Sequence, residues 1–148
     1  MRGVFTGAAG PHATGDVWAV TIAVRTGNER HLATETLAAA TLQVRADGAR
    51  LNTPGASVPA NLPNVPQDVY DALFAGSTFT LELLVDRVTG VGNAALHVEG
   101  FEISRAFTYA AFASTGGPTI TAIGPTLGIA NGPGESASVR VLDFQVFR

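Results

Sequence analysis

Hydrophobic and polar residues alternate with period two along several stretches of this chain, the pattern of a strand with one buried face. In Asp16 to Arg25, Trp18, Val20, Ile22 and Val24 fall on one side and Val17, Ala19, Thr21 and Ala23 on the other, which predicts a long early strand. Alternation returns between Leu37 and Arg45, and after Asp47-Gly48 it resumes at Arg50-Leu51-Asn52. An Asp-Gly between two such runs predicts a hairpin. Phe79, Leu81, Leu83 and Val85 then alternate with Thr80, Glu82, Leu84 and Asp86, and the chain returns through Thr89 to Asn93 into a strand over Ala95 to Ser104. A turn centred on Val91 and Gly92 would set Asp86 opposite His97 and Leu84 opposite Glu99.

The intervening segments are irregular or helical. Residues 53 to 66 hold Pro54, Pro59, Pro63 and Pro66, and so many fixed φ angles and missing donors predict a long surface loop. Residues 67–75 carry Val69 and Leu73 at helical spacing with Gly76 as a stop, which predicts one short helix. Phe107, Tyr109 and Phe112 suggest a further strand, and Thr119 to Ile129 another. In the last strand, Ala137 to Phe147, Val139 and Val141 share one side while Leu142, Phe144 and Val146 share the other. A β-bulge near Val141 reconciles the two phases.

Many short strands, Gly/Pro turns and one helix predict an all-β fold, an antiparallel β-sandwich of jelly-roll type forming one domain over residues 1–148. Three stretches, Leu42 to Gly48, Phe79 to Val85 and Val139 to Phe147, resemble those of the concanavalin A-like and laminin G-like jelly rolls. The resemblance implies a strand running into a turn, a long central strand, and a final strand returning beside the first.

Composition narrows the chemistry. There is no Cys, and all nine basic residues are Arg. Thiol nucleophiles, thiolate zinc sites, disulfides, Schiff-base lysines and a phosphate-loop lysine are therefore excluded. The net charge of −3 and scattered arginines argue against nucleic acid as a partner. No segment approaches the roughly 20 apolar residues of a membrane-spanning helix, and Met1 to Asp16 lacks the apolar run of a secretory signal. Charged residues make up 14% of the chain against about a quarter in typical domains, which predicts that some of the surface is buried in an assembly.

Candidate site residues follow from the hairpin and the loops. Glu82 and Asp86 share one strand face, with His97 and Glu99 expected across from them. Glycosidase relatives of the resembled fold use carboxylates about 5 to 9 Å apart, but their Glu-x-Asp-x-x-Glu motif is absent, Glu82 being followed by Leu83 and Leu84. The competing expectation is a solvated face whose opposite charges pair across strands. Sugar recognition would use an exposed ring and amides, for which Tyr109, Asn52 and Asn93 are the candidates, with Asn61, Asn64 and Asn131 behind them. Trp18, in phase with Val20 and Ile22, is expected in the core.

The resemblance also implies a structural calcium on Asp143 of the closing strand, joined by Asp16 if the first and last strands pair. Six to eight oxygens are needed, and no loop carries that density of acids. No other cofactor is expected. His12, His31 and His97 are dispersed, with no zinc-binding spacing.

Taken together, the sequence leads to three functional expectations. The first is a non-enzymatic structural or attachment module of a phage or virus-like particle, in a homo-oligomer or with other virion proteins, able to contact host surface glycans. The second is a carbohydrate-binding module of a polysaccharide-active protein. The third is a small glycoside hydrolase. The expected location is a virion made in a bacterial cytoplasm, or outside the cell for a chain whose signal has been removed.

Overall fold

The computed structural model describes residues 1–13, 15–25, 36–53, 64–86, 88–108, 122–130 and 132–147. Within them the elements run β1 (Arg2–Ala9), β2 (Asp16–Arg25), β3 (Thr36–Arg45), β4 (Gly48–Asn52), α1 (Gln67–Ala75), β5 (Thr78–Val85), β6 (Val91–Val98), β7 (Phe101–Thr108), β8 (Ala122–Ile129) and β9 (Ala137–Gln145). All strand pairs are antiparallel, in a five-stranded sheet ordered β7-β6-β5-β1-β9 and a four-stranded sheet ordered β4-β3-β2-β8. The fold is an all-β antiparallel sandwich, as the alternation predicted, with one short helix among the described residues. β5 is the middle strand of the five-stranded sheet, and β9 lies beside β1, not beside the strand predicted over Asp16 to Arg25, which is β2 of the other sheet.

The core lies between the sheets. Trp18, Val20 and Ile22 of β2, Leu42 and Val44 of β3, and Leu51 of β4 meet Phe5, Phe79, Leu81, Leu83 and Leu96 from the other sheet, all essentially inaccessible to water. Each side chain of that size stabilises the fold by about 1.5–3 kcal/mol on full burial. Trp18 is in the core, as its phase required. Val17 is buried as well, because the β2–β3 register shifts between Asp16 and Trp18.

Strand β1 escapes the sequence pattern. Its inward positions are Gly3, Phe5 and Gly7, so two of three core residues carry no side chain. The space is taken by neighbours: a Cβ on Gly3 would collide with the Phe5 ring, and one on Gly7 would lie 2.7 Å from the Trp18 indole.

Two turns differ from expectation. The β3–β4 loop is Ala46-Asp47, with Gly48 (φ 138°) already paired to Arg45. The strand predicted over Ala95 to Ser104 is broken by Glu99-Gly100, with φ of 44° and 86°, and β7 begins at Phe101. Two successive positive φ angles make the tight turn whose twist suits a hairpin. Asn or Asp before the glycine would have signalled it; Glu does not. The predicted bulge in the last strand is present, with Val4 paired to Asp143 and Phe5 to Val141, leaving Leu142 as the extra residue.

The helix follows Pro66 and buries Val69 and Leu73. It ends at Gly76 in the left-handed region (φ 108°), where the Gly76 N–H bonds to Ala72 O. Thr6 Oγ1 donates to Gly76 O at 2.9 Å, tying the helix to β1. The prolines at 54, 59 and 63 lie outside the described residues.

Candidate functional site

The solvent face of the five-stranded sheet carries a cluster of charged side chains. Because Leu81, Leu83, Leu96 and Val98 turn inward, Glu82 and His97 turn outward on β5 and β6. The register sets Arg2 opposite Glu82 and Glu102 opposite His97. Arg2 Nε lies 3.3 Å from Glu82 Oε1, His97 Nε2 3.9 Å from Glu82 Oε2, and His97 Nδ1 3.5 Å from Glu102 Oε2. The imidazole therefore sits between two carboxylates at ion-pair rather than hydrogen-bond distance, and its Nε2 has no hydrogen-bond partner among the described residues. Beside the cluster is a shallow groove of about 360 Å³ lined by Thr78, Thr80, His97, Glu99, Phe101 and Glu102. Hydroxyls and carboxylates on an open sheet can take the hydroxyls of a polyol, and His97 can donate or accept.

Among the predicted ligand-binding residues, this surface brings together Glu82, His97 and Glu99. Glu99 occupies the β6–β7 turn, accepts a hydrogen bond from Ser77 Oγ at 2.6 Å and rims the groove. Asn93 is on the same face but opposite Leu84, two strand positions beyond Ala95, the partner of Glu82. Asp86 is not in the cluster. His97 pairs with Thr80 and Leu84 with Asn93, not with Asp86 and Glu99 as expected, because the turn closes at Asp86 to Gly90. There the Asp86 carboxylate accepts the Val88 N–H at 2.8 Å and the Thr89 N–H at 3.3 Å, and these bonds hold its pKa below the usual range.

Asn52 ends β4 in the other sheet, paired with Thr41. Asn64 is committed to structure: its side chain accepts the Leu51 N–H at 2.8 Å and donates to Leu51 O at 3.1 Å, imitating a strand neighbour. Tyr109, Asn61, Asn131 and His31 lie outside the described residues. Arg2 and Glu102 were missed by the sequence reading. Arg2 belongs to the glycine-masked β1, and Glu102 follows the unrecognised turn; only the charge pairing itself could have pointed to them.

The two carboxylates considered for calcium are apart. The strand beside β9 is β1, not β2, so Asp16 and Asp143 belong to different sheets. Asp16 Oδ1 accepts from Gln43 Nε2 at 2.7 Å and from Arg45 Nη1 at 3.2 Å, while Asp143 Oδ2 accepts from Gln145 Nε2 at 2.8 Å. Among the described residues no three His, Asp or Glu side chains are grouped to hold a metal. No helix there is long and apolar enough to cross a membrane.

A second surface is apolar. Strands β8 and β9 end their sheets and lie against each other along one flank of the sandwich. Ile123, Leu127 and Ile129 pair with Val24, Val20 and Trp18, so they sit on the core-side face of their sheet, yet they remain 43%, 38% and 51% exposed. Val141, paired with the buried Phe5, is 40% exposed, the bulge residue Leu142 beside it is 55% exposed, and Val146 and Phe147, which follow β9, are exposed as well. The joining segment is fixed by Glu135, whose Oε2 accepts the Gly132 N–H at 2.7 Å and Oε1 the Ala13 N–H at 3.2 Å. The buried His12 ring packs edge-on to Phe74, with its Nε2 3.7 Å from Glu135 Oε2. The backbone donors, and then His12, hold the Glu135 pKa below the usual carboxylate range.

Comparison with protein-family models, with curated proteins and with solved structures finds no match to this chain.

Proposed function

We propose that this protein is a non-enzymatic structural or attachment module of a phage or virus-like particle, working by burying its β8–β9 flank in an assembly. The observation that carries the reading is the flank itself. Core-side aliphatic residues of β8 and β9 stay open to water where the two sheets end. Exposed apolar surface of this continuity marks an interaction site in most soluble proteins. The sparse charge of the chain agrees with it. A virion assembled in a bacterial cytoplasm is the location this reading implies.

Multi-angle light scattering of the purified chain tests it. A defined oligomer is expected across the micromolar range; a monomer at every concentration would overturn the reading.

A second reading is favoured by the groove beside His97: recognition of host surface glycans, or the role of a carbohydrate-binding module. Its supporting features are the Thr78 and Thr80 hydroxyls and the carboxylates of Glu99 and Glu102 converging on one open trough. Glycan-array binding that is lost on His97→Ala would support it, and an array without hits would remove it.

A further inference from the structure

We infer that the occupant of the β8–β9 flank is a second copy of this chain, docked flank to flank about a twofold axis and joined by side chains alone, with neither sheet extended. The inference rests on the assembly reading above and goes further by naming the partner and the mode of contact.

Size comes first. Seven large apolar residues, Ile123, Leu127, Ile129, Val141, Leu142, Val146 and Phe147, are each 38% to 58% exposed. At about 200 Å² for a large apolar residue they present roughly 650 Å². A standard interface takes about 800 Å² from each partner, so these side chains supply most of one.

Charge selects the partner. Strand β8 contains no Asp, Glu, Arg or His, the chain has no Lys, and the charges of the neighbouring β9, Arg140 and Asp143, pair with the outward-facing Thr6 and Val4 of β1 rather than with core-side positions. A charged group set against the core-side residues of β8 would lose hydration with no charge on that strand to pair against. The same aliphatic patch on another copy meets it without that cost, and a patch that complements itself is what a twofold contact requires.

Edge chemistry then fixes the mode. Pro125 pairs with Ile22 in the middle of β8, and having no N–H it cannot donate to an added strand. On β9 the Leu142 bulge breaks the regular ladder. Both edges carry features that block strand addition while leaving apolar side chains exposed, so contact falls to the side chains.

The absence of Cys provides a direct test. Leu127→Cys and Val88→Cys place a single thiol on the flank and on the 81%-exposed tip of the β5–β6 hairpin, respectively. A short bis-maleimide is expected to convert the first into a covalent dimer and to leave the second monomeric. In light scattering, Leu127→Asp should raise the dimer dissociation constant at least tenfold with an unchanged far-ultraviolet circular dichroism spectrum. If that variant misfolds, cross-linking of the Leu127→Cys chain still decides the matter. A wild-type oligomer that neither cross-links through position 127 nor responds to Leu127→Asp would overturn the inference while leaving assembly standing, and a trimer would overturn the twofold arrangement. A wild-type monomer would overturn both.

Discussion

Trp18 of the four-stranded sheet stacks on Phe79 of the five-stranded sheet, with ring centroids 5.5 Å apart and planes 14° from parallel. Phe79 stacks in turn on Phe5, also at 5.5 Å. This three-ring column crosses the sandwich, so it joins the two sheets where backbone hydrogen bonds cannot. Phe79→Ala is expected to destabilise the fold by about 3–5 kcal/mol. Of this, a double-mutant cycle with Trp18→Ala should assign about 0.5–1.5 kcal/mol to the ring pair. Urea unfolding followed by circular dichroism measures both.

Gly7 lies under the Trp18 indole, and a Cβ there would stand 2.7 Å from the ring. The indole is only 1% exposed and has no room to yield. Gly7→Ala is therefore expected to cost about 1–3 kcal/mol as overpacking. It should also alter the emission of Trp18, the sole tryptophan. Unchanged stability and emission would contradict this packing.

The Glu135 carboxylate has a pKa below the ordinary carboxylate range because it accepts the Gly132 and Ala13 N–H groups and lies near His12. A group whose folded pKa is depressed adds stability above its unfolded pKa, and that stability is lost as pH falls through the folded value. The urea midpoint should accordingly fall on acidification below about pH 4.5, the unfolded range of Glu. Glu135→Gln should fall less over the same window, since it has no proton to take up. Parallel slopes for the two proteins would show that the clamp contributes nothing.

On the outer face, Arg2 and Glu82 form an exposed pair, with side chains 50% and 30% accessible. Such pairs contribute between about 0 and 1 kcal/mol. Arg2→Ala is expected to shift stability by less than about 1 kcal/mol and to weaken only at low salt. A larger loss in urea unfolding would mean that the Arg2, Glu82, His97 and Glu102 cluster holds the sheet together.

Much of the sandwich is legible as local alternation. β2, β3, β5 and α1 follow from side-chain period, and the bulge at Leu142 follows from a change of phase between Val141 and Leu142. The candidate cluster was half legible: Glu82 and His97 were identified, but their register was not. That register depends on where the hairpin closes, and the Asp86 carboxylate closes it by capping Val88 and Thr89.

What the sequence alone determined is the class of the fold, because a period of two is a property of consecutive residues. Its lack of Cys and Lys likewise delimited the chemistry. Tertiary structure decided the rest. β1 became visible only when Phe5 and Trp18 were seen to fill the space over Gly3 and Gly7. The separation of Asp16 from Asp143, and the exposure of Leu127 on a core-side face, depend on which strands end each sheet. Strand order arises from contacts between residues far apart in the chain, and no local pattern encodes it.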